Sequence, residues 1–170
     1  MKLILLNGPA GVGKSTVAER LHADTPMSLL IVVDSVRKQI SGWREYRKES
    51  QILAYQIAVA SVDTCLSEGH DVIIDKAVLN DDKTLDMLVS VGKKHRAQIY
   101  EIVLTASKEV VMDRATRRGF NPGGLLTLEG VEHLWSLSEA LKETRPDAVI
   151  IDTSTLTPEE VYERVKEVII

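Results

Sequence analysis

Cysteine is almost missing from this chain: Cys65 stands alone among 170 residues, so no disulfide closes within it and a disulfide scaffold is excluded. The four histidines, His22, His70, His95 and His133, are scattered, and without a Cys/His cluster at metal-ligand spacing a zinc domain is not expected. Long apolar runs are absent too. MKLILLNG offers four consecutive apolar residues before Asn7, too few for the core of a secretory signal. No stretch approaches the ~20 apolar residues of a membrane span, and the expectation is a cytoplasmic protein with no membrane partner. Nor is there an excess of positive charge. With 21 basic against 25 acidic residues the net charge is −4, so the molecule as a whole is no electrostatic trap for nucleic acid.

What is present is ordinary globular material, 44% apolar and 27% charged, which excludes disorder and collagen-like repetition. A chain of this length buries roughly 70% of its unfolded surface and needs no staple. Short apolar runs of strand length recur at Leu3–Leu6, Leu29–Val33, Val72–Ile74, Ile99–Leu104 and Ala148–Ile151. They are near-continuous instead of alternating, as in parallel strands covered on both faces.

Between them lie helical segments with signed ends. From about Glu49 to Glu68 the residues Ile52, Tyr55, Val59, Val62 and Leu66 step by three and four, with Gly69 where a C-terminal cap belongs. Thr157-Pro158-Glu159-Glu160 supplies an N-cap, a proline at the first helical position and a glutamate at the third, followed by Val161, Val165, Val168 and Ile169 on one face. Asn80-Asp81-Asp82 and Ser107-Lys108-Glu109 open two more. Cys65 and Met112 read as core. The alternation predicts one doubly wound α/β domain over residues 1–170 with a five-stranded parallel sheet.

Gly8-Pro9-Ala10-Gly11-Val12-Gly13-Lys14-Ser15 matches G-x-x-x-x-G-K-[ST] in full, after an apolar strand and before the helical Val17 and Leu21. A chance match to all four fixed positions in such a chain is on the order of one percent or less. Glycines let backbone N–H groups point inward at the positive end of a helix, forming a concave anion site. The loop Gly8, Ala10, Gly11, Val12, Gly13, with Lys14, Ser15 and Thr16, is therefore read as the nucleotide site, Lys14 reaching the β- and γ-phosphates and Ser15 holding magnesium.

Among users of nucleoside triphosphates, a guanine-nucleotide switch needs Asp-x-x-Gly and (Asn/Thr)-Lys-x-Asp segments, and neither occurs. A motor needs more chain, so shortness favours a phosphoryl-transfer kinase. Such an enzyme needs a carboxylate to orient the acceptor hydroxyl and take its proton. Asp34, directly after the second apolar run, is placed at the crevice where parallel strands end, and Arg37 follows within one helical turn. The bland alternative is that Asp34 caps a helix from Ser35 to Ile40.

Asp75, ending the strand from Asp71 to Ile74, has the position of a magnesium-holding carboxylate, against the alternative of a turn aspartate. Arg114, Arg117 and Arg118 end a helix before Gly119-Phe120-Asn121-Pro122-Gly123-Gly124. This reads as a lid over about residues 112–127, with Arg114 on the adenine and Arg118 stabilising the transferring phosphoryl group. Dipole compensation alone would also place cations there.

The order of GPAGVGKST, Asp34-x-x-Arg37, VIID followed by Leu79-Asn80, Arg114-x-x-x-Arg118-Gly119 and IDTS-x-LTPEEV resembles small P-loop kinases of the polynucleotide-kinase, gluconokinase, zeta-toxin and chloramphenicol-phosphotransferase type, within the AAA-type P-loop ATPase domains. The resemblance implies a three-layer α/β/α P-loop fold, nucleoside-monophosphate-kinase-like with a short lid, and ATP with Mg2+ as cofactors. It implies Asp34 as general base, Arg37 at the acceptor, Arg114 and Arg118 as lid arginines, and Asp152 in an adenine-side loop. Polynucleotide kinases read Asp-x-Asn-Leu-Asn after the third strand, whereas here the segment is Asp75-Lys76-Ala77-Val78-Leu79-Asn80, which tells against a polynucleotide acceptor.

The expected function is transfer of the γ-phosphate of ATP to a hydroxyl of a small molecule: a metabolite, a sugar acid or an antibiotic-like compound. Acceptor recognition falls to about residues 34–50, where Trp43 and Tyr46 can stack on a ring and Arg44 or Arg47 can pair with an anion; the alternative is a solvated connection. A polynucleotide 5′-hydroxyl kinase is the second reading, although the basic run Lys93-Lys94-His95-Arg96 also suits a solvated helix end. A non-catalytic ATP-binding regulatory module is the third. Monomer and homodimer both stay open.

Overall fold

The computed structural model describes residues 1–76, 82–120 and 126–169. Five strands, β1 (Lys2–Asn7), β2 (Leu29–Val32), β3 (Val72–Asp75), β4 (Gln98–Thr105) and β5 (Val149–Asp152), form one sheet in the order β2-β3-β1-β4-β5. Every pairing is parallel. The helices are α1 (Lys14–Asp24), α2 (Val33–Lys38), α3 (Arg47–Ser67), α4 (Asp82–Lys94), α5 (Lys108–Arg118), α6 (Leu128–Thr144) and α7 (Pro158–Val168).

Successive residues of β1 explain the layers. Leu3 and Leu5 pack with Val72, Ile74, Ala54, Tyr55, Val62 and Leu88 on the face covered by α3 and α4. Ile4 and Leu6 pack with Ile73, Ile102, Val17, Val111, Val131 and Val161 on the face of α1, α5, α6 and α7. A strand with cores on both sides has no polar face to show, so its sequence runs apolar throughout. The chain is α/β with three layers, as expected.

Helix ends follow the expected chemistry where they are described. Thr157 closes a capping box with Glu160 and Pro158 opens α7; Ser107 accepts from Val110 N at the start of α5; Gly69 follows α3 at φ +84. The cap expected at Asn80-Asp81 lies outside the described residues, as do residues 121–125 of the glycine-rich segment.

Several expectations are corrected. Val33 belongs to α2 and not to the second strand. The buried stripe of α3 runs through Ala54, Tyr55, Ala58, Val62 and Leu66, leaving Ile52 exposed. Cys65 and Met112 are only half-buried at the edges of the two cores. Helix α6 lies between the expected lid and the run Ala148–Ile151, a stretch for which the sequence reading names no element, yet its Val131, Ser138 and Leu141 are buried. No helix of the described residues is long and apolar enough to cross a membrane.

Candidate active site

β1 ends at Asn7, whose side-chain oxygen accepts from Gly8 N at 3.0 Å, and the chain turns back to enter α1 at Lys14. Gly8 sits at φ +133, and a Cβ there would lie 2.0 Å from the Leu104 carbonyl oxygen, so the loop is pressed against the end of β4. The cap position of α1 is Gly13 at φ +96, which brings no side chain to bond the first-turn N–H groups. Those donors and the helix dipole are what a phosphate needs.

Lys14 is 7% exposed and its Nζ donates to the Pro9 carbonyl at 2.6 Å. Burial pushes its pKa down to about 8, opposed by the negative charges of Asp75 and Asp34. Ser15 Oγ donates to Asp75 Oδ2 at 2.6 Å. The parallel register explains the meeting: Asp75 ends β3 opposite Leu6 of β1, one residue short of the strand's end.

A cleft of about 1390 Å³ opens over the C-terminal ends of these strands. Residues 10–16 of the loop, Asp34, Asp75, Arg114 and Arg118 line it, and Ser35, Arg37, Lys38, Trp43 and Arg44 extend it on the α2 side. Phe120, Leu126 and Leu134 supply an apolar wall, two of them in or beside the unsignalled α6.

Asp34 is the second residue of α2; the capping position is Val32, and no side chain caps the helix. The carboxylate instead takes Lys76 Nζ on Oδ1 at 2.8 Å, which replaces the capping alternative. Arg37 is held in the wall of the cleft: Nε donates to Ser50 Oγ at 3.1 Å and Nη2 to the Arg47 carbonyl at 2.6 Å. Arg44 stacks on the Trp43 ring at 4.5 Å.

Arg114 lines the cleft with its guanidinium tethered to the loop after β5, Nη1 donating to Thr153 Oγ1 at 3.1 Å and Nη2 to the Thr153 carbonyl at 2.8 Å. Arg118 is exposed and its charge reaches Lys14, while Arg117 turns to Asp113 at 2.9 Å.

Not every expected residue gathers here. Arg47 and the exposed Tyr46 do not line the cleft; the Arg47 side chain donates to the Arg44 carbonyl instead. Asp152 does not line it either, because Oδ1 folds back onto Ser154 N and Oγ at 2.8 and 2.6 Å, bonds that hold its carboxyl below the usual range. Gly8 shapes the loop from beneath without lining the cleft. Sequence reasoning missed Ser50 altogether, since a buried serine inside a helix carries no signal, and it met Lys76 only as part of the turn from which the motif's first asparagine is missing.

With this geometry in place, the family model for an AAA domain matches residues 3–129. The chain belongs to the AAA domain family. Solved structures place this AAA domain in the P-loop kinase fold. A sugar kinase from Janibacter sp. superposes with a TM-score of 0.70 at 18% identity, covering 99% of this chain and 94% of that one. The tunicamycin resistance protein of Deinococcus radiodurans gives 0.65 at 18%, covering 98% and 94%. A chain of the Pnkp1/Rnl/Hen1 RNA repair complex gives 0.65 at 25%, covering 84% of this chain and 45% of that one. No curated protein matches the chain. The resemblance to small P-loop kinases thus holds at the level of family and fold.

Ser15 Oγ and Asp75 Oδ2 are hard oxygen donors of the kind Mg2+ takes, and so they fit that ion beside a phosphate site. Among the described residues no group of three His, Cys, Asp or Glu could hold a metal without further ligands. A magnesium ion sharing phosphate oxygens and water needs no such group.

Proposed function

We propose that this protein is an ATP-dependent phosphotransferase acting on a hydroxyl of a small molecule. One observation carries the reading: a single cleft holds the phosphate loop, the Ser15–Asp75 pair and, on its α2 side, the carboxylate of Asp34. The acceptor oxygen attacks the γ-phosphorus of ATP, its proton passes to Asp34, and the bond to the β,γ-bridging oxygen breaks with its electron pair leaving on ADP. Lys14 and Arg118 neutralise the phosphates, and Ser15 and Asp75 would hold a magnesium ion, which would supply further positive charge beside the transferring phosphoryl group. Arg37, Trp43 and Arg44 form the acceptor wall; the Arg44 guanidinium, stacked on the indole, suits a small acceptor bearing an anionic group, such as a sugar acid.

A polynucleotide 5′-hydroxyl kinase is the second reading, favoured by the likeness to a chain of the RNA repair complex. The basic run at residues 93–96 gives it no support. It sits at the C-terminal end of α4, which leads into the start of β4 and so lies at the opposite end of the strands from the cleft, and there Lys94 and His95 both bind Asp63 Oδ1 at 2.7 Å.

The test is transfer of label from γ-labelled ATP, with magnesium, to a fractionated small-metabolite extract and in parallel to a 5′-hydroxyl oligonucleotide. Label in a metabolite fraction, lost with Asp34→Asn, supports the first reading. Label on the oligonucleotide alone, falling steeply with salt, supports the second. Tight ATP binding with no transfer points to a regulatory module.

A further inference from the structure

We propose that Lys76 is the positioning residue for Asp34, fixing that carboxylate in the acceptor half of the cleft. The inference deepens the kinase reading, and its consequence for turnover rests on it. The two side chains meet at 2.8 Å, yet they live in different surroundings: that of Lys76 is 10% exposed and that of Asp34 51%. Asp34 lines the cleft and Lys76 does not. The substrate therefore meets the carboxylate, and the ammonium acts through it.

The asymmetry of the supports gives the pair its direction. Lys76 directly follows β3, which is paired on both sides by β1 and β2, and its own N–H continues toward the Leu6 carbonyl at 3.4 Å. Its ammonium also lies 5.9 Å from the ring of Tyr55, a buried residue of α3. Asp34 stands on the six-residue α2, which has no side-chain cap. A cation next to a strand paired on both sides thus holds the carboxylate of a short helix, and among the described residues that bond engages Oδ1 alone. Oδ2 is left to accept from an acceptor hydroxyl.

Stability does not explain the arrangement. A buried ammonium is costly to desolvate, and replacing such a pair with apolar side chains is commonly neutral or stabilising. Orientation does explain it, because a misplacement of about 1 Å at a reacting group costs about 100-fold in rate. The lysine sits where the polynucleotide-kinase pattern leaves the residue unspecified, so this assignment belongs to the present chain.

Crystal structures of the wild type, Lys76→Met and Lys76→Arg with magnesium and a non-hydrolysable ATP analogue test the geometry directly. The methionine variant is expected to show the Asp34 carboxylate displaced or spread over several rotamers, and the arginine variant to restore it. Lys76→Gln, whose uncharged amide ends one bond short of the lysine ammonium, stands in if the methionine variant fails to fold. Asp34 unmoved in the methionine or glutamine variant overturns the proposal.

Label transfer to the metabolite extract supplies the second readout. Lys76→Met is expected to lower transfer about 100-fold with the KM for ATP within about twofold, and to cost nothing further on top of Asp34→Asn. Losses that multiply across the two substitutions overturn it, since a residue acting through Asp34 has nothing to position once that carboxylate is gone. If the wild type transfers no label to any acceptor, the kinase reading fails, and the crystal structures still decide the role of Lys76.

Discussion

Ser15 and Asp75, sixty positions apart, are joined by a 2.6 Å hydrogen bond from the serine hydroxyl to the carboxylate. One stands in the first turn of α1 and the other at the end of β3. The bond spans the gap between two adjacent parallel strands, where the ligand crevice of an open α/β sheet lies. Asp75→Asn and Ser15→Ala are expected to raise the magnesium needed for half-maximal ATP turnover about 10- to 100-fold. ATP binding measured in chelator should change little. An unchanged magnesium requirement in both variants would remove the pair from the metal site.

The pH dependence of nucleotide binding should follow Lys14. Its pKa of about 8 reflects burial first, so the empty protein carries a neutral amine above that value and must take up a proton to meet a phosphate. Affinity for ATP is expected to be flat below pH 7 and to fall by up to about tenfold per pH unit above 8. Calorimetry in buffers of different ionisation enthalpy would register the proton uptake, and Lys14→Met should abolish it. The sign for stability is opposite. Between about pH 8 and about 10.4 the native state has shed a proton that the unfolded chain still holds, so the empty protein gains stability over that window from this group.

Two glycines of the phosphate loop should respond differently to the same added methyl. At Gly8 a Cβ meets the Leu104 carbonyl oxygen at 2.0 Å, whereas at Gly13 nothing lies within 4 Å and the strain is that of φ +96 alone. Gly13→Ala is expected to cost about 1–2 kcal/mol of stability. Gly8→Ala should cost about 3 kcal/mol or more, because backbone must move at the end of β4. Denaturant melts of the two variants check the difference; equal losses would mean that the loop yields where β4 does not.

Much of the fold and of the phosphate site is legible in the sequence. Near-continuous runs such as Leu3–Leu6 specify a strand buried on both faces, and Thr157-Pro158 through Glu160 specifies a helix start through local bonds alone. The phosphate loop was legible because its chemistry is local. What could not be read depends on distant partners. Ile52 fits the helical period of α3 as well as Ala54 does, and only the position of the sheet decides which one is buried. Asp152 is an adenine-side residue by resemblance alone, and a bond from the Ser154 hydroxyl two residues on turns it away from the cleft. Lys76 acquires meaning only from Asp34, 42 positions earlier.

Ser50 offers the sharpest separation of acceptor from nucleotide. It is 2% exposed, accepts from Arg37 Nε at 3.1 Å, and donates to the Trp43 carbonyl at 3.1 Å. Arg37 is therefore spent largely on holding the wall that carries Trp43 and Arg44, with Nη2 on the Arg47 carbonyl. Ser50→Ala leaves the Arg37 Nε–H and the Trp43 carbonyl without their shared partner, a loss of about 1–3 kcal/mol in stability. It removes nothing from the phosphate loop. The KM for the acceptor is thus expected to rise about tenfold while that for ATP stays within about twofold, since one displaced wall weakens binding without touching the reacting groups. Arg37→Lys should produce the same split, because an ammonium cannot reach both partners at once. If Ser50→Ala raises both KM values together, the wall and the phosphate loop move as one body.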